Sequence, residues 1–272
     1  MKISDIIYNL IFVPRCASCR ERLDPLVKSP LLHSKACLCE RCLEDWQRAK
    51  SGMCHTCYMS ADRCFCMPKQ KTFDQPYIPS LFFYHPDTSR SENRVIYTAK
   101  HKNPTPLFEF LAAELEPNVY ALLRDTVTSK EDCILTWIPR SKHSERKNGV
   151  DQARELCLKL ADKTGIAAHP LLIRSHGGKE QKKLDGKRDR QKNVNSSVFL
   201  NARYIAACKR KGINVIDGKT VLVVDDIITT GASMNRALSL IKSAGADRAM
   251  ACCIARSQVK SKNNVVSESA AK

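Results

Sequence analysis

The chain holds 272 residues, 43% of them hydrophobic, enough to bury a full core with a small second unit beside it. Its 45 Lys and Arg against 28 Asp and Glu leave a formal charge of +17. That charge either only keeps the surface soluble or favours polyanionic partners, nucleic acid or phosphorylated small molecules. No apolar run approaches the roughly 20 residues of a membrane-spanning helix, so no membrane span is expected, and no convincing internal repeat is found.

The first stretch, "MKISDIIYNLIFVPRC", is apolar but interrupted by Asp5 and Asn9, and no small-residue cleavage site follows it. It reads as an amphipathic helix rather than a signal peptide, and a cytoplasmic location is the expectation. In that reducing compartment the 14 cysteines serve better as metal ligands than as disulfides. Nine of them precede residue 67, spaced as Cys16-x-x-Cys19, Cys39-x-x-Cys42, Cys54-x-x-Cys57 and Cys64-x-Cys66, with Cys37 left over. Two residues between thiolates let both sulfurs of a knuckle reach one tetrahedral zinc, and two such pairs close a structural site. The preferred pairing is 16/19 with 39/42 and 54/57 with 64/66. A cross-braced pairing stays open, and Cys37 could replace Cys39. Unrelated buried cysteines or a redox Cys-x-x-Cys are the competing readings, and no strand–helix pattern surrounds these pairs to support the second. With four sulfurs on each zinc there is no open position for catalysis, so the metal is structural.

Residues 67–92 are rich in Pro and Ser around "LFFY" and read as a linker leading into an edge strand. Beyond it the pattern alternates. "ENRVIYTAKHK" and "LFEFLAAELEPNVYALL" read as helices and "CILTWIP" as a strand. Residues 149–165 place Val150, Ala153, Leu156, Cys157 and Leu160 on one helical face, with Gly165 as the C-cap. "TVLVVDD" is a strand buried on both faces, followed by a helix carrying Met234, Ala237, Leu238 and Ile241, then the strand "RAMACCIAR". Short strand–helix–strand connections imply an α/β fold with a parallel sheet and helices on both faces, whose ligands sit beyond the carboxyl ends of the strands. The expected division is an N-terminal helix and double zinc module over 1–72, the α/β domain over 73–256 and a disordered tail over 257–272.

"VLVVDDIITTGAS" (221–233) falls at such an end. The backbone after Asp226, the hydroxyls of Thr229, Thr230 and Ser233, the close approach allowed by Gly231 and the start of a helix form a cradle for phosphate. Asp225 and Asp226 repel phosphate but accept hydrogen bonds from two neighbouring hydroxyls. A ribose 5-phosphate offers both groups. A solvated acidic turn is the competing reading, and the helix starts too late for either Asp to cap it.

The stretch resembles the 5-phosphoribosyl 1-pyrophosphate (PRPP) motif of type I phosphoribosyltransferases. With the cysteine pairs, "IPRSKHSERKNGVDQA" (138–153), Arg174 and "QKKLDGKRDRQKNV" (181–194), the chain resembles the ComF family up to about Arg256. The resemblance implies that Asp225 and Asp226 contact the ribose hydroxyls and that Thr229, Thr230, Gly231, Ala232 and Ser233 bind the 5-phosphate. It implies a pyrophosphate loop at Arg140, Ser141 and Lys142, a closing loop with Gln181, Leu184, Arg188 and Asn193, and a lysine before the first core helix at Lys100. Where the family usually reads Arg-Gly-Phe-Asn-Gln, this chain has Asn148-Gly149-Val150-Asp151-Gln152. An arginine is lost there and a negative charge gained on the expected pyrophosphate side.

Two compatible functions are open, and the family resemblance favours the second, with a transferase that has no direct DNA role as the alternative. In one, Mg²⁺-PRPP loses pyrophosphate to a nucleophile, with Arg140, Lys142 and Arg188 stabilising the leaving group and Mg²⁺ assisting. In the other, the family resemblance implies a competence role, the uptake of single-stranded transforming DNA with DNA-uptake or recombination proteins as partners. The basic run 174–192, with Arg174, Lys182, Lys183, Lys187 and Arg190, would line the path of the strand together with the zinc module. That run contains no aromatic residue, so base stacking falls to Trp46, Tyr58, Phe65 or Phe73, unless these are packing residues. A scaffold held only by zinc is the third reading, disfavoured by the intact PRPP motif.

Overall fold

The computed structural model describes residues 14–23, 37–67, 74–85, 87, 89–102, 105–124, 126, 129–140, 149–174 and 198–258. The expected N-terminal amphipathic helix and nearly all of the expected tail lie outside these residues.

The run Thr220–Ile228 (β6) is the axis of the molecule. Its first five residues are buried on both faces, as a strand in the middle of a parallel sheet requires. On one side lies Cys133–Trp137 (β2), in register from Cys133 opposite Thr220 to Trp137 opposite Val224. Arg248–Arg256 (β7) flanks the other side, from Arg248 opposite Thr220 to Arg256 opposite Ile228. Short edge strands complete the sheet, Phe82–Phe83 (β1) beside β7 and Ala167–Ala168 (β3) beside β2, giving the order β1-β7-β6-β2-β3 with every pair parallel. A separate antiparallel pair, Leu172–Arg174 (β4) and Val198–Leu200 (β5), stands beside it.

Alternation along β6 divides the core in two. Leu222 and Val224 join Leu135, Met250 and Cys252 on one face, where the helices Thr105–Arg124 (α3) and Gln152–Thr164 (α4) contribute Phe108, Leu111, Leu156 and Leu160. Val221 and Val223 join Ile134, Ala249 and Cys253 on the other, covered by Met234, Leu238 and Ile241 of the helix Ala232–Ser243 (α6). Each such side chain contributes about 1.5–3 kcal/mol on burial. The protein is therefore a parallel α/β sheet with helices on both faces.

Local signals set the helix ends. Asp151 caps α4, accepting from the Arg154 amide, and Gly165 closes it in the left-handed region at φ 70°. Asn201 caps the helix Ala202–Arg210 (α5), again through its side-chain oxygen. Neither α5 nor the β4–β5 pair is foreseen in the sequence.

The cysteine-rich part shares the first core. Cys16, Ala17, Cys42 and Trp46 are buried together with Phe82, Val95 and Phe110. Trp46, on the helix Glu40–Lys50 (α1), meets Phe82 edge-on at 5.3 Å and Phe110 at 5.4 Å. Its indole N–H donates to Glu114 of α3 at 2.8 Å, and Lys50 pairs with the same carboxylate at 2.7 Å. The helix Ser91–Lys102 (α2) lies between, with Thr98 donating to the Ala17 carbonyl at 2.6 Å. Side chains from both sides of the expected boundary at residue 72 thus form one core.

Candidate functional site

β6 does not end at the acidic pair. It runs on to Ile228, held by β7 alone after β2 turns away at Ile138, whose amide donates to the Val224 carbonyl at 3.0 Å. The divergence of β2 opens the edge beside Asp225 and Asp226. Each carboxylate turns back on the chain: Asp225 accepts from the Asp226 amide at 2.9 Å and Asp226 from the Ile227 amide at 2.8 Å. By strand alternation the two side chains leave opposite faces of the sheet; Asp226 pairs with an arginine, and Asp225 feels the charge of a second one.

Arg140, just beyond β2, places Nη2 at 3.1 Å from Asp226 Oδ2, in a part-buried pair. Its own amide donates to Asp151 Oδ2 at 3.0 Å. The negative charge that Asp151 adds therefore has a local use, since one carboxylate caps α4 and anchors the Arg140 backbone. On the other face, Arg174 at the end of β4 reaches Ser233 Oγ at 3.5 Å, and its buried Nε has no hydrogen-bond partner among the described residues. Asp225 is partly buried, with its carboxyl screened from water. Burial first, then the neighbouring Asp226 charge, push its carboxyl well above the ordinary carboxylate range, against the pull of Arg174.

The cradle follows within five residues. Thr229 and Thr230 are exposed, and Gly231 takes φ 77°, a conformation that costs a side-chain-bearing residue about 1–2 kcal/mol. Gly231 is the N-cap of α6 with no side-chain cap hydrogen bond, and the Ala232 amide donates to Thr230 Oγ1 at 3.4 Å. Ser233 lies in the first helical turn. Asp225, Asp226, Arg140 and residues 229–233 are brought to one end of the sheet, as the sequence leads one to expect. Arg174 belongs with them. It was expected on a nucleic-acid path, but its half-buried guanidinium faces Ser233, because β4 delivers it to the exit end of β6 rather than to the surface. Ser141, Lys142, Gln181, Lys182, Lys183, Leu184, Lys187, Arg188, Arg190 and Asn193 lie outside the described residues, as does the Lys100 side chain.

Residues 175–268 match the family model of the phosphoribosyl transferase domain. That stretch, about a third of the chain, is similar to a phosphoribosyl transferase domain. A stretch of 50 residues is 42% identical to the orotate phosphoribosyltransferase of Chlorobium phaeobacteroides, covering 18% of this chain and 26% of that enzyme. The chain thus matches about a quarter of that relative's length. Two solved structures are similar at lower identity. The glutamine PRPP amidotransferase from B. subtilis, complexed with ADP and GMP, is 18% identical with a TM-score of 0.31, over 55% of this chain and 25% of that one. The phosphoribosylpyrophosphate synthetase from Mycobacterium smegmatis is 16% identical with a TM-score of 0.31, over 53% and 33%.

The site is accompanied by two groups of sulfurs able to hold a metal ion. Cys16, Cys19, Cys39 and Cys42 form one, and Cys54, Cys57, Cys64 and Cys66 the other, the ligand atoms of each lying within 4.8 Å of one another. Sulfurs about 2.3 Å from a tetrahedral zinc stand roughly 3.8 Å apart. The observed separations are 3.7 Å for Cys19–Cys39, 3.9 Å for Cys54–Cys66 and 3.5 Å for Cys57–Cys64, so the donor set fits such an ion.

The two groups start from the same turn. Arg20 and Tyr58 take positive φ and donate to the Cys16 and Cys54 carbonyls, each at 3.0 Å, and the bridges Arg15–Arg22 and Met53–Ser60 close the hairpins. Burial would push the Cys42 thiol up, but the Ser18 and Ser91 hydroxyls outweigh it and bring it to about 7. At Cys54 the amides of Cys57 and Thr56 likewise outweigh burial, again to about 7. Cys37 stands apart from both groups, its thiol raised to about 12 by burial. Sequence reasoning assigned neither the anchoring role of Asp151 nor any role to Arg256. A cap residue directly before the helix was the available signal for the first. For the second the C-terminal "AR" is a marker of the family resemblance but carries no role, since Arg256 acts through a contact with residues far away in the chain.

Proposed function

We propose that the 225–233 site binds PRPP with Mg²⁺ and serves pentosyl transfer to an acceptor. The observation that carries this reading is Gly231 in the left-handed region, set between an acidic pair and the start of α6, which has no side-chain cap. Asp225 and Asp226 accept hydrogen bonds from two neighbouring ribose hydroxyls, while residues 229–233 hold the 5-phosphate at the positive end of α6. Arg140 leaves Asp226 for the diphosphate, joined by Lys142 and Arg188. Mg²⁺, a hard cation, would supply further positive charge to the diphosphate beside Arg140, Lys142 and Arg188. In the transfer the bond from the anomeric carbon to the pyrophosphate oxygen breaks, that oxygen keeps the electron pair, and a nucleophile closes the new bond. Titration of PRPP with Mg²⁺ tests the site: Asp225→Ala combined with Asp226→Ala should weaken binding at least ~10-fold, one lost charge-assisted contact or more, at unchanged fold. Equal affinity would put the ligand elsewhere.

A second reading supplements the first. The ComF resemblance supports a cytoplasmic competence protein that assists uptake of single-stranded transforming DNA, the zinc module of residues 1–72 sharing the contact. One observation favours it. Trp46 is core, but Tyr58 and Phe65 stand on the second cysteine knuckle with 74% and 60% of their surface exposed, available for base stacking. Neutralising about five phosphates gives a salt slope of roughly −3 to −4. Reversing Lys182, Lys183, Lys187 and Arg190 to Glu should flatten that slope, and Tyr58→Ala with Phe65→Ala should weaken binding equally at every salt concentration. DNA affinity unaltered by both sets of substitutions would reduce the chain to its ribosyl-phosphate site.

A further inference from the structure

A fully buried arginine lies outside the ribosyl-phosphate site. Arg256, the last residue of β7, is 2% exposed. Its Nη1 donates to the Cys64 carbonyl at 3.1 Å, while Nη2 stands 3.5 Å from Cys64 Sγ and also donates to the Cys66 carbonyl. Its backbone belongs to the sheet: it pairs in register with Ile228 at the end of β6 and with Phe83 of β1, and the Tyr84 amide donates to its carbonyl at 2.8 Å. One residue therefore touches both the second cysteine group and the strand end from which the cradle departs.

A guanidinium withdrawn from water is costly unless an opposite charge compensates it. Among the described residues the hydrogen-bond partners of Arg256 are two carbonyls and a sulfur, not a carboxylate. A divalent ion held by four thiolates carries a net negative charge and would supply the compensation. The first group differs. There Cys42 meets the neutral hydroxyls of Ser18 and Ser91, and Arg94 donates to Ser18 at 3.3 Å and to the Ser89 carbonyl rather than to a ligating sulfur.

We propose that Arg256 is the counter-charge of a metal-loaded tetrathiolate site at Cys54, Cys57, Cys64 and Cys66, and that it fastens this site to the exit end of β6. The proposal rests on the metal reading of those cysteines and not on PRPP binding. Groups that donate to ligating atoms hold them in place, and losing them costs about 10–100-fold in metal affinity. Arg256 is thus a positioning residue, and its planar fork, which spans a sulfur and two carbonyls, is something a lysine cannot reproduce.

The test follows release of zinc from the full chain to a chromophoric chelator. The parent should hold two zinc ions. Arg256→Gln should keep one as in the parent and lose the other, or release it about 10–100-fold faster, with Arg256→Lys between the two. In a Cys54→Ser, Cys57→Ser background the remaining zinc should leave at the same rate with or without Arg256→Gln. Parent-like release of both ions in Arg256→Gln overturns the proposal, and so does faster release of the first-site zinc in the double-serine background. Should Arg256→Gln fail to fold, Arg256→Lys decides: parent-like release together with an unaltered thiolate charge-transfer band of the Co²⁺-loaded protein would refute the role.

Discussion

Two adjacent carboxylates at one strand end behave differently because the strand sends them to opposite faces. Asp226 meets the guanidinium of Arg140 at 3.1 Å, whereas Asp225 is held where burial and its neighbour's charge raise its pKa well above the usual range. A carboxyl with a raised folded-state pKa binds its proton more tightly in the native chain than in the unfolded one, whose value is near 3.9. Stability is therefore fully present below that unfolded value and falls as pH rises toward the folded one. Asp225→Asn removes this penalty and keeps an oxygen to accept from the Asp226 amide. The variant should melt above the parent at pH 7, by about 2–4 °C for each kcal/mol recovered, and the gain should vanish below about pH 4. A melting difference that stays constant between pH 4 and 8 would contradict the raised pKa. The same substitution should weaken PRPP binding at the proposed site, read by titration of PRPP.

At the scale of elements, α4 and the loop after β2 are joined through one side chain. Asp151 caps α4 with Oδ1 and holds the Arg140 amide with Oδ2, so the helix start and the arginine facing Asp226 move together. Asp151→Ala should cost about 0.5–2 kcal/mol of stability from the lost cap and should also weaken diphosphate binding by freeing Arg140. Asp151→Asn, which can still cap with its one oxygen, should melt close to the parent while losing the contact to the Arg140 amide. Thermal melts with PRPP titrations of both variants check this; equal losses in the two would mean that the cap is not what Asp151 contributes. The cysteine turns are a second case of element logic. Both need positive φ at the residue after the second cysteine, and Arg20 and Tyr58 accept it although neither is glycine, because the turn closes on the preceding carbonyl.

At the scale of the molecule, the cysteine groups are not appended to the sheet but built into its cores. Cys16 and Cys42 are buried with Trp46 and Phe82 in the first core, and Cys54 and Cys64 with Phe83 in a third cluster at the sheet's edge. Metal removal therefore strips ligands from groups that the sheet itself packs against. Chelation should lower the melting temperature of the whole chain in one cooperative transition, with near-UV signals from Trp46 and Trp137 changing together. A zinc-free chain that loses the cysteine turns yet melts at the parent's temperature would show that the two parts are independent. Protons compete for the raised thiols of Cys39, Cys64 and Cys66 already above pH 7, and for Cys42 and Cys54 only below about 7, so uptake should weaken as pH falls and do so more steeply below about 7. Among the described residues no helix is long and apolar enough to cross a membrane.

The unbroken apolar run of β6, the helical spacing in α4 and α6, the Gly165 stop and the motif 221–233 are local patterns, and local chemistry sufficed to read them. So did the grouping of the cysteines, since two residues between sulfurs suit one tetrahedral ion. Strand order, the extension of β6 to Ile228, the turn of Arg174 toward Ser233 and the burial of Arg256 against Cys64 are different in kind. They arise where segments far apart in the chain meet, and the partner of a buried charge is chosen by packing and desolvation rather than by its neighbours in sequence. Asp151 shows both: its cap is local to α4, while its hold on Arg140 exists only because β2 and α4 converge at the open end of the sheet.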